Sequence, residues 1–124
     1  LPADKVERVV MCSGKVYYDL YDARNKGELK NVAIIRLEQL YPFPQKEMEA
    51  VMEKYAHVKD FVWCQEEPQN QGAWYCSQHH FWDVIPAGAK LKYVGRAASA
   101  SPAVGYLAVH NKQQKELVQQ ALTV

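Results

Sequence analysis

Short apolar runs alternate along this chain with stretches in which apolar residues recur at helical spacing. Three runs, at residues 9–12, 32–35 and 61–64, are continuously apolar, and a fourth, shorter strand is expected at residues 91–94. A continuous apolar run of this length is typical of a strand buried on both faces, as in a parallel sheet. Strands that alternate with helices predict a three-layer α/β/α fold with a mainly parallel, doubly wound sheet. We expect the strand order second, first, third, fourth, with the fourth strand near an edge.

Four amphipathic stripes predict the helices. Gly27 is expected to end the first helix, and Pro44 to begin the second, since proline is favoured in a first helical turn. Pro86 and Gly88 are expected to end the third helix, and the last helix covers roughly residues 111–122. The residues predicted to form the apolar stripes are Val16, Leu20, Ala23, Met48, Val51, Met52, Tyr55, Trp74, Gln78, Phe81, Trp82, Ile85, Leu117, Val118, Ala121 and Leu122.

Length and composition suit one folded domain. The chain has 124 residues, of which 48% are hydrophobic, so we expect residues 1–124 to form a single domain with its own core.

Charge, hydropathy and cysteine content exclude several classes of protein. The 15 basic and 14 acidic residues give a net charge of +1, which argues against sequence-independent binding of nucleic acid. No apolar run approaches the about 20 residues that span a bilayer. Three cysteines at irregular spacing, Cys12, Cys64 and Cys76, indicate reduced thiols rather than a disulfide framework.

The expected strand order places a switch point between the first and third strands, where the winding of the sheet reverses. Ligands of such sheets bind at the carboxyl ends of the strands beside this point. The loop at residues 13–15 and the polar segment at residues 65–72, which is also expected to be a loop, meet there. The loop opens a helix and offers free N–H groups to an anion, but it lacks the upstream glycine and the length of a Walker A loop. Plain capping of the helix is therefore the favoured interpretation.

The polar segment contains two consecutive carboxylates, Glu66 and Glu67. Consecutive side chains at a strand end point to opposite faces, so this pair is not expected to converge on one bond as general acid and base. We expect the segment to pack against another domain or a dimer partner instead. The candidate interface residues are Glu66, Glu67, Asn70, Gln71 and Trp74.

Two other clusters resemble functional sites only superficially. One cluster contains the residue types of a metal site, namely Cys76, His79 and His80. A structural zinc site needs four convergent ligands, so no metal site is expected. Cys12 and Cys64 fall in neighbouring strands and lack the exposed Cys-x-x-C pattern of a redox pair. We expect both thiols to be buried parts of the core.

The loop that begins at Arg96 combines a guanidinium group, hydroxyl groups, small residues and a helix start at Ser101 and Pro102. This mixture suits a phosphate or carboxylate held by side-chain and backbone donors. It equally suits a loop packed tightly under a neighbouring domain. Arg96, Ser99 and Ser101 are therefore candidate effector-binding or anion-binding residues.

Four segments, taken in order, resemble one family. They read Ser-Gly-Lys-Val-Tyr-Tyr-Asp-Leu at 13–20, Arg-Leu-Glu-Gln-Leu-Tyr-Pro-Phe-Pro at 36–44, Trp-Cys-Gln-Glu-Glu-Pro-Gln-Asn-Gln-Gly-Ala-Trp at 63–74 and Tyr-Val-Gly-Arg-Ala-Ala-Ser-Ala-Ser-Pro at 93–102. Through them essentially the whole chain resembles the C-terminal end of the thiamine-diphosphate-dependent, decarboxylating first component of bacterial 2-oxoglutarate dehydrogenases. One departure is Ala97, where the family is expected to have proline, so the loop after Arg96 is stiffened less.

The resemblance implies a transketolase C-terminal-like fold, in which a further antiparallel edge strand lies upstream of the parallel set. It implies a fragment of a much larger enzyme that decarboxylates 2-oxoglutarate in the tricarboxylic acid cycle and passes the succinyl group to a lipoyl domain. Thiamine diphosphate and Mg²⁺ are then held by the domains upstream. This chain has no Gly-Asp-Gly motif followed by an asparagine metal ligand, so no catalytic or cofactor-binding residue is carried over. We expect the chain alone to be inactive.

The resemblance also implies partners. They are the upstream domains of the same chain, a homodimer partner, dihydrolipoyl succinyltransferase and dihydrolipoyl dehydrogenase, all in the bacterial cytoplasm. Neither a nucleic acid nor a membrane is expected as a partner.

Three hypotheses for the function of this chain remain. The favoured hypothesis is a structural, dimer-supporting domain. One alternative is a regulatory module of the same enzyme that binds an anion, a nucleotide or an acyl-coenzyme A at Arg96. Another is a free-standing redox or nucleotide-binding protein, which the missing cofactor motifs do not favour.

Overall fold

Strands and helices alternate through the part of the chain that the structure describes. The computed structural model describes residues 3–38, 43–68, 72–96 and 107–124. In chain order the strands and helices are β1 (Arg8–Cys12), α1 (Val16–Lys26), β2 (Val32–Arg36), α2 (Gln45–Lys54), β3 (Asp60–Pro68), α3 (Gly72–Val84), β4 (Lys90–Arg96) and α4 (Leu107–Leu122). One short 3-10 helix, Ala3–Lys5, precedes β1. The alternation confirms the predicted α/β class.

The four strands form one parallel sheet in the order β2-β1-β3-β4. This is the order expected from the sequence on the assumption of right-handed crossovers in a doubly wound sheet, and it is confirmed. Val10 in β1 pairs in register with Ile34 of β2 and with Val62 of β3, while β4 lies beyond β3 at the edge of the described sheet. The winding reverses between β1 and β3, so the carboxyl ends of these two strands define the switch point.

Apolar clusters cover both faces of the sheet, because successive side chains of a strand alternate between its faces. On one face Trp63 packs with Met48 of α2 and Phe81 of α3. On the other face Leu20 of α1 and Leu117 of α4 belong to the second cluster. The sheet is therefore the middle of three layers, which confirms the predicted three-layer α/β/α architecture.

A buried arginine joins the start of β1 to the end of α4. Arg8 is 5% exposed, and its Nε donates to the carboxylate of Asp60 at 2.8 Å. A terminal nitrogen of the same guanidinium donates to the backbone oxygens of Gln120 at 3.2 Å and Ala121 at 3.0 Å. The last turn of a helix leaves carbonyl oxygens without partners inside the helix, and a cation there also favours the helix dipole. Arg8 thus holds α4 against the sheet.

β3 extends further than the sequence predicts. Its apolar run ends at Cys64, yet the strand continues to Pro68, with an irregularity in its pairing to β4 between these two residues. Gln65 is only 2% exposed, and hydrogen bonds within the fold offset the cost of burying its amide. The expectation that residues 65–68 belong to a loop is therefore wrong. β4 was expected to be short, but it runs over seven residues.

Trp82 does not face the sheet, contrary to expectation. Its side chain is 51% exposed, since it lies about 100° around the helix from its buried neighbour Phe81. Ser77 and Val84 are buried on α3 instead. Because apolar residues surround much of α3, periodicity alone could not select the buried face. None of the helices in the described ranges is long and apolar enough to cross a membrane.

Candidate interface at the carboxyl edge of the sheet

The turn between β1 and α1 lies at the switch point. Gly14 has a φ of 78°, a left-handed conformation that favours glycine. Lys15 occupies the N-cap of α1 and makes no side-chain hydrogen bond to the helix. The backbone closes the turn, since the N–H of Tyr17 donates to the backbone oxygen of Gly14 at 3.3 Å. The predicted turn therefore starts the helix through its backbone rather than through a side-chain cap.

Gln65 connects the end of β3 to the start of α3 through its side-chain amide. Its Oε1 accepts hydrogen bonds from Nε1 of Trp63 at 2.8 Å and from the backbone N–H of Trp74 at 3.0 Å. Its Nε2 donates to the backbone oxygen of Glu67 at 3.1 Å. The backbone N–H groups in the first turn of a helix have no partners within the helix. Gln65 therefore caps α3 from a neighbouring strand.

Tyr93 in β4 supports the same region. Its hydroxyl donates to the backbone oxygen of Glu67 at 3.1 Å, and its ring centroid lies 5.6 Å from that of Trp74. A Cβ atom at Gly95 would lie 2.6 Å from the backbone oxygen of Gln65 and 2.5 Å from the Tyr93 hydroxyl. Only glycine allows β4 to approach β3 this closely. We call Gln65, Glu67, Trp74, Tyr93 and Gly95 the edge brace.

The two neighbouring carboxylates have different surroundings. Glu66 is half-buried, and its Oε1 accepts a hydrogen bond from Nε2 of Gln114 at 2.8 Å. The same nitrogen donates to the carboxylate of Asp19 at 2.9 Å, so Gln114 of α4 joins β3 to α1. The side chain of Glu67 is exposed. The pair therefore does not share one microenvironment, as the alternation of strand side chains leads one to expect.

The predicted interface residues fall partly outside the described residues. Trp74 is 8% exposed and packs in the core of its own chain. Glu66 and Glu67 lie at the carboxyl end of β3, as predicted. Asn70 and Gln71 lie outside the described residues. A role for these five residues in contacts with a neighbouring domain or subunit stays a prediction.

Of the three predicted anion-binding residues, only Arg96 has a described backbone. β4 ends at Arg96, whose backbone pairs in register with Pro68 at the end of β3. The side chain of Arg96 and the whole of Ser99 and Ser101 lie outside the described residues. The hypothesis that these three residues bind an anion stays a prediction.

The two strand cysteines are buried and free. Cys12 and Cys64 pair in register on β1 and β3. Burial raises the pKa of the Cys12 thiol to about 12, although the positive charge of Arg36 opposes the shift. Burial also raises the pKa of Cys64, and the neighbouring Cys12 and Glu66 add to the increase. Because the thiolate is the reactive form of cysteine, both residues are poor nucleophiles at neutral pH.

The histidines of α3 contact other rings. The rings of His79 and His80 lie 4.0 Å apart between centroids, and His80 stacks on Phe43 at 4.7 Å. The side chain of Cys76 lies outside the description. Among the residues that the structure describes, no group of three or more histidine, cysteine, aspartate or glutamate side chains could hold a metal ion. The expectation of no metal site in the whole chain stays a prediction.

A groove of about 850 Å³ runs between α1 and α4. Asp19 and Gln114, which form the bridge to Glu66, line part of it, and Leu29, Val118 and Leu122 contribute apolar surface. Neither Glu66 nor the brace lines this groove. It is therefore a separate feature from the candidate interface.

Sequence reasoning missed Gln65, Tyr93 and Gln114. A signal for Gln65 was available, because a polar amide directly after a buried strand, with tryptophans at 63 and 74, must find hydrogen-bond partners if it is buried. Tyr93 and Gln114 gave no such signal. Each contacts a residue more than 20 positions away, which only the tertiary fold brings near.

The fold is a doubly wound, parallel α/β domain, in which hydrogen bonds of the Gln65 amide join the end of β3 to the first turn of α3. The chain belongs to the 2-oxoglutarate dehydrogenase C-terminal family, whose model matches residues 1–122. The resemblance found in the four sequence segments is thereby confirmed.

Relatives with curated names extend this finding. The chain is 65% identical over 118 residues to a protein of Haemophilus influenzae named 2-oxoglutarate dehydrogenase E1 component, covering 95% of this chain and 13% of that protein. It is 57% identical over 127 residues to the protein of the same name from Azotobacter vinelandii, covering 100% of this chain and 14% of the relative. An oxoglutarate dehydrogenase of Buchnera aphidicola is 47% identical over 124 residues, with coverages of 100% and 14%. The chain thus spans about one-seventh of the length of these relatives.

Proposed function

We propose that this chain is the C-terminal, dimer-supporting domain of the first component of a 2-oxoglutarate dehydrogenase. The observation that carries the proposal is the family match over residues 1–122. The edge brace supports the structural part of it, because hydrogen bonds that fix a surface in advance lower the cost of packing a neighbour against it. In this proposal the described polar groups that hydrogen-bond at the end of β3 serve the fold rather than a reaction.

In this proposal the parent enzyme oxidatively decarboxylates 2-oxoglutarate and transfers the succinyl group to a lipoyl domain. Thiamine diphosphate and Mg²⁺ are bound by domains upstream of this one, and no residue of this domain is catalytic. Dihydrolipoyl succinyltransferase and dihydrolipoyl dehydrogenase are the other members of the complex, and the enzyme works in the bacterial cytoplasm. The names of the relatives support this assignment.

Removal of residues 1–124 from the full-length enzyme tests the dimer-supporting role. We expect the dimer dissociation constant, measured by sedimentation equilibrium, to rise at least about tenfold. Calorimetry should show that the remaining chain still binds thiamine diphosphate with Mg²⁺. An unchanged dissociation constant would contradict the proposal, and so would loss of cofactor binding in a chain that still dimerises.

The regulatory alternative places an anion, a nucleotide or an acyl-coenzyme A at Arg96, Ser99 and Ser101. The family match does not favour it. Arg96→Ala in the full-length enzyme separates the two roles. A weaker dimer with an unchanged response to effectors supports an interface role for Arg96, whereas a lost response with an unchanged dimer supports the alternative.

A further inference from the structure

Glu66 already has a partner within its own domain. Its carboxylate accepts from Nε2 of Gln114 at 2.8 Å, and the same nitrogen bonds Asp19 at 2.9 Å. Glu66 is half-buried there between β3 and the helical layer. A carboxylate that is partly desolvated and bonded in this way contributes to the fold, and it is poorly placed to reach a neighbouring molecule.

Glu67 differs from Glu66 in every one of these respects. Its side chain is exposed, and no hydrogen bond or ion pair with another described residue involves its carboxylate. Its backbone, by contrast, is held firmly. The carbonyl oxygen of Glu67 accepts from Nε2 of Gln65 and from the hydroxyl of Tyr93, both at 3.1 Å.

The edge brace fixes the backbone from which the Glu67 carboxylate projects. Gln65 is itself held by Trp63 and Trp74, and Gly95 lets β4 lie close enough for Tyr93 to reach the Glu67 carbonyl. An ordinary exposed glutamate loses considerable freedom when it binds a partner. Because the backbone of Glu67 is fixed beforehand, only its side-chain torsions have to be ordered when a partner binds.

We propose that Glu67, and not Glu66, forms the ionic contact between this domain and the upstream part of its parent polypeptide. The inference rests on the proposed function and deepens it. The partner group is a lysine or arginine side chain, because an exposed carboxylate steers and pairs with a cation. The upstream part is the favoured occupant since this chain spans only about one-seventh of its relatives, and a covalently linked neighbour has an effective concentration of about millimolar.

The two adjacent carboxylates provide a matched pair of variants in the full-length enzyme. Glu67→Gln and Glu66→Gln each remove one negative charge at nearly constant volume. Limited proteolysis at the junction upstream of this domain reports the population in which the domain is undocked, provided that reclosing is faster than cleavage. We expect Glu67→Gln to increase the cleavage rate about tenfold at low salt, and the increase should shrink as salt screens the contact.

The control variant should behave differently. Glu66→Gln should leave the cleavage rate within about twofold of the unaltered enzyme, since an amide oxygen can still accept from Gln114. Tyr93→Phe removes one of the two bonds to the Glu67 carbonyl and keeps the charge, so it should raise the rate about threefold.

Three results would overturn the inference. The first is an equal effect of Glu66→Gln and Glu67→Gln. The second is an increase that does not depend on salt. The third is an unchanged cleavage rate in Glu67→Gln, and a weaker dimer in the same variant would place the cation on the second subunit. The deletion of the whole domain tests the proposed function independently, so a silent Glu67→Gln beside a weakened deletion dimer rejects only this inference.

Discussion

Among single residues, Trp63 contributes both to the packing of the core and to the hydrogen bonds at the end of β3. It is fully buried, it stacks on Phe81 with centroids 4.7 Å apart, and its indole N–H donates to Gln65. Trp63→Ala should therefore lower the free energy of unfolding by about 3–5 kcal/mol in urea denaturation. Trp63→Phe keeps most of the packing and should cost less. A loss below about 1 kcal/mol for Trp63→Ala would contradict this placement of β3.

The buried thiols predict a pH dependence of stability. Their pKa values are raised in the folded state, so between pH 9 and 12 the unfolded chain releases protons that the folded chain retains. Stability is therefore complete below pH 9 and falls above it, by about 1.4 kcal/mol per pH unit for each thiol. Urea denaturation at pH 8 and pH 10 measures this slope. In the double variant Cys12→Ala/Cys64→Ala, the free energy of unfolding should fall less steeply with pH. An equal slope in that variant would exclude the thiols as the cause of the pH dependence.

At the scale of elements, the approach of β4 to β3 depends on one glycine. A Cβ at Gly95 would meet the Gln65 backbone oxygen at 2.6 Å, so Gly95→Ala should displace the strand end and cost about 1–3 kcal/mol. Gly27→Ala is a matched control, because its Cβ would make only ordinary contacts, the nearest at 3.4 Å. Chemical denaturation compares the two variants. Equal stability of both would show that β4 does not need glycine at this position.

The elements also show which parts of the fold the sequence could predict. Continuous apolar runs predicted β1, β2 and β3, the mixed stretch at residues 91–94 predicted β4, and the order expected for a doubly wound sheet is confirmed. The end of β3 could not be found in this way, because the buried Gln65 amide is paired partly with the backbone N–H of Trp74 on α3. Trp82 was misplaced for a related reason. On a helix that is apolar on several sides, only tertiary packing selects the buried face.

At the scale of the whole molecule, the family was easier to predict than the site. Four segments carried the resemblance, and the match over residues 1–122 confirms it. The interface residues are predicted only from polar residues that follow a strand, and their role stays a prediction. Which of the two carboxylates remains free for a partner depends on Gln114, a residue 48 positions from Glu66 that only the packing of α4 brings near.

We propose that this domain supports the parent enzyme without carrying its chemistry. Calorimetric titration of the 124-residue chain with thiamine diphosphate and Mg²⁺ tests it most directly, with the full-length enzyme as the positive control. We expect the 124-residue chain to give no heat beyond that of dilution and not to turn over 2-oxoglutarate. The full-length enzyme should bind thiamine diphosphate and turn over 2-oxoglutarate. Saturable binding of thiamine diphosphate by the chain alone would contradict the claim.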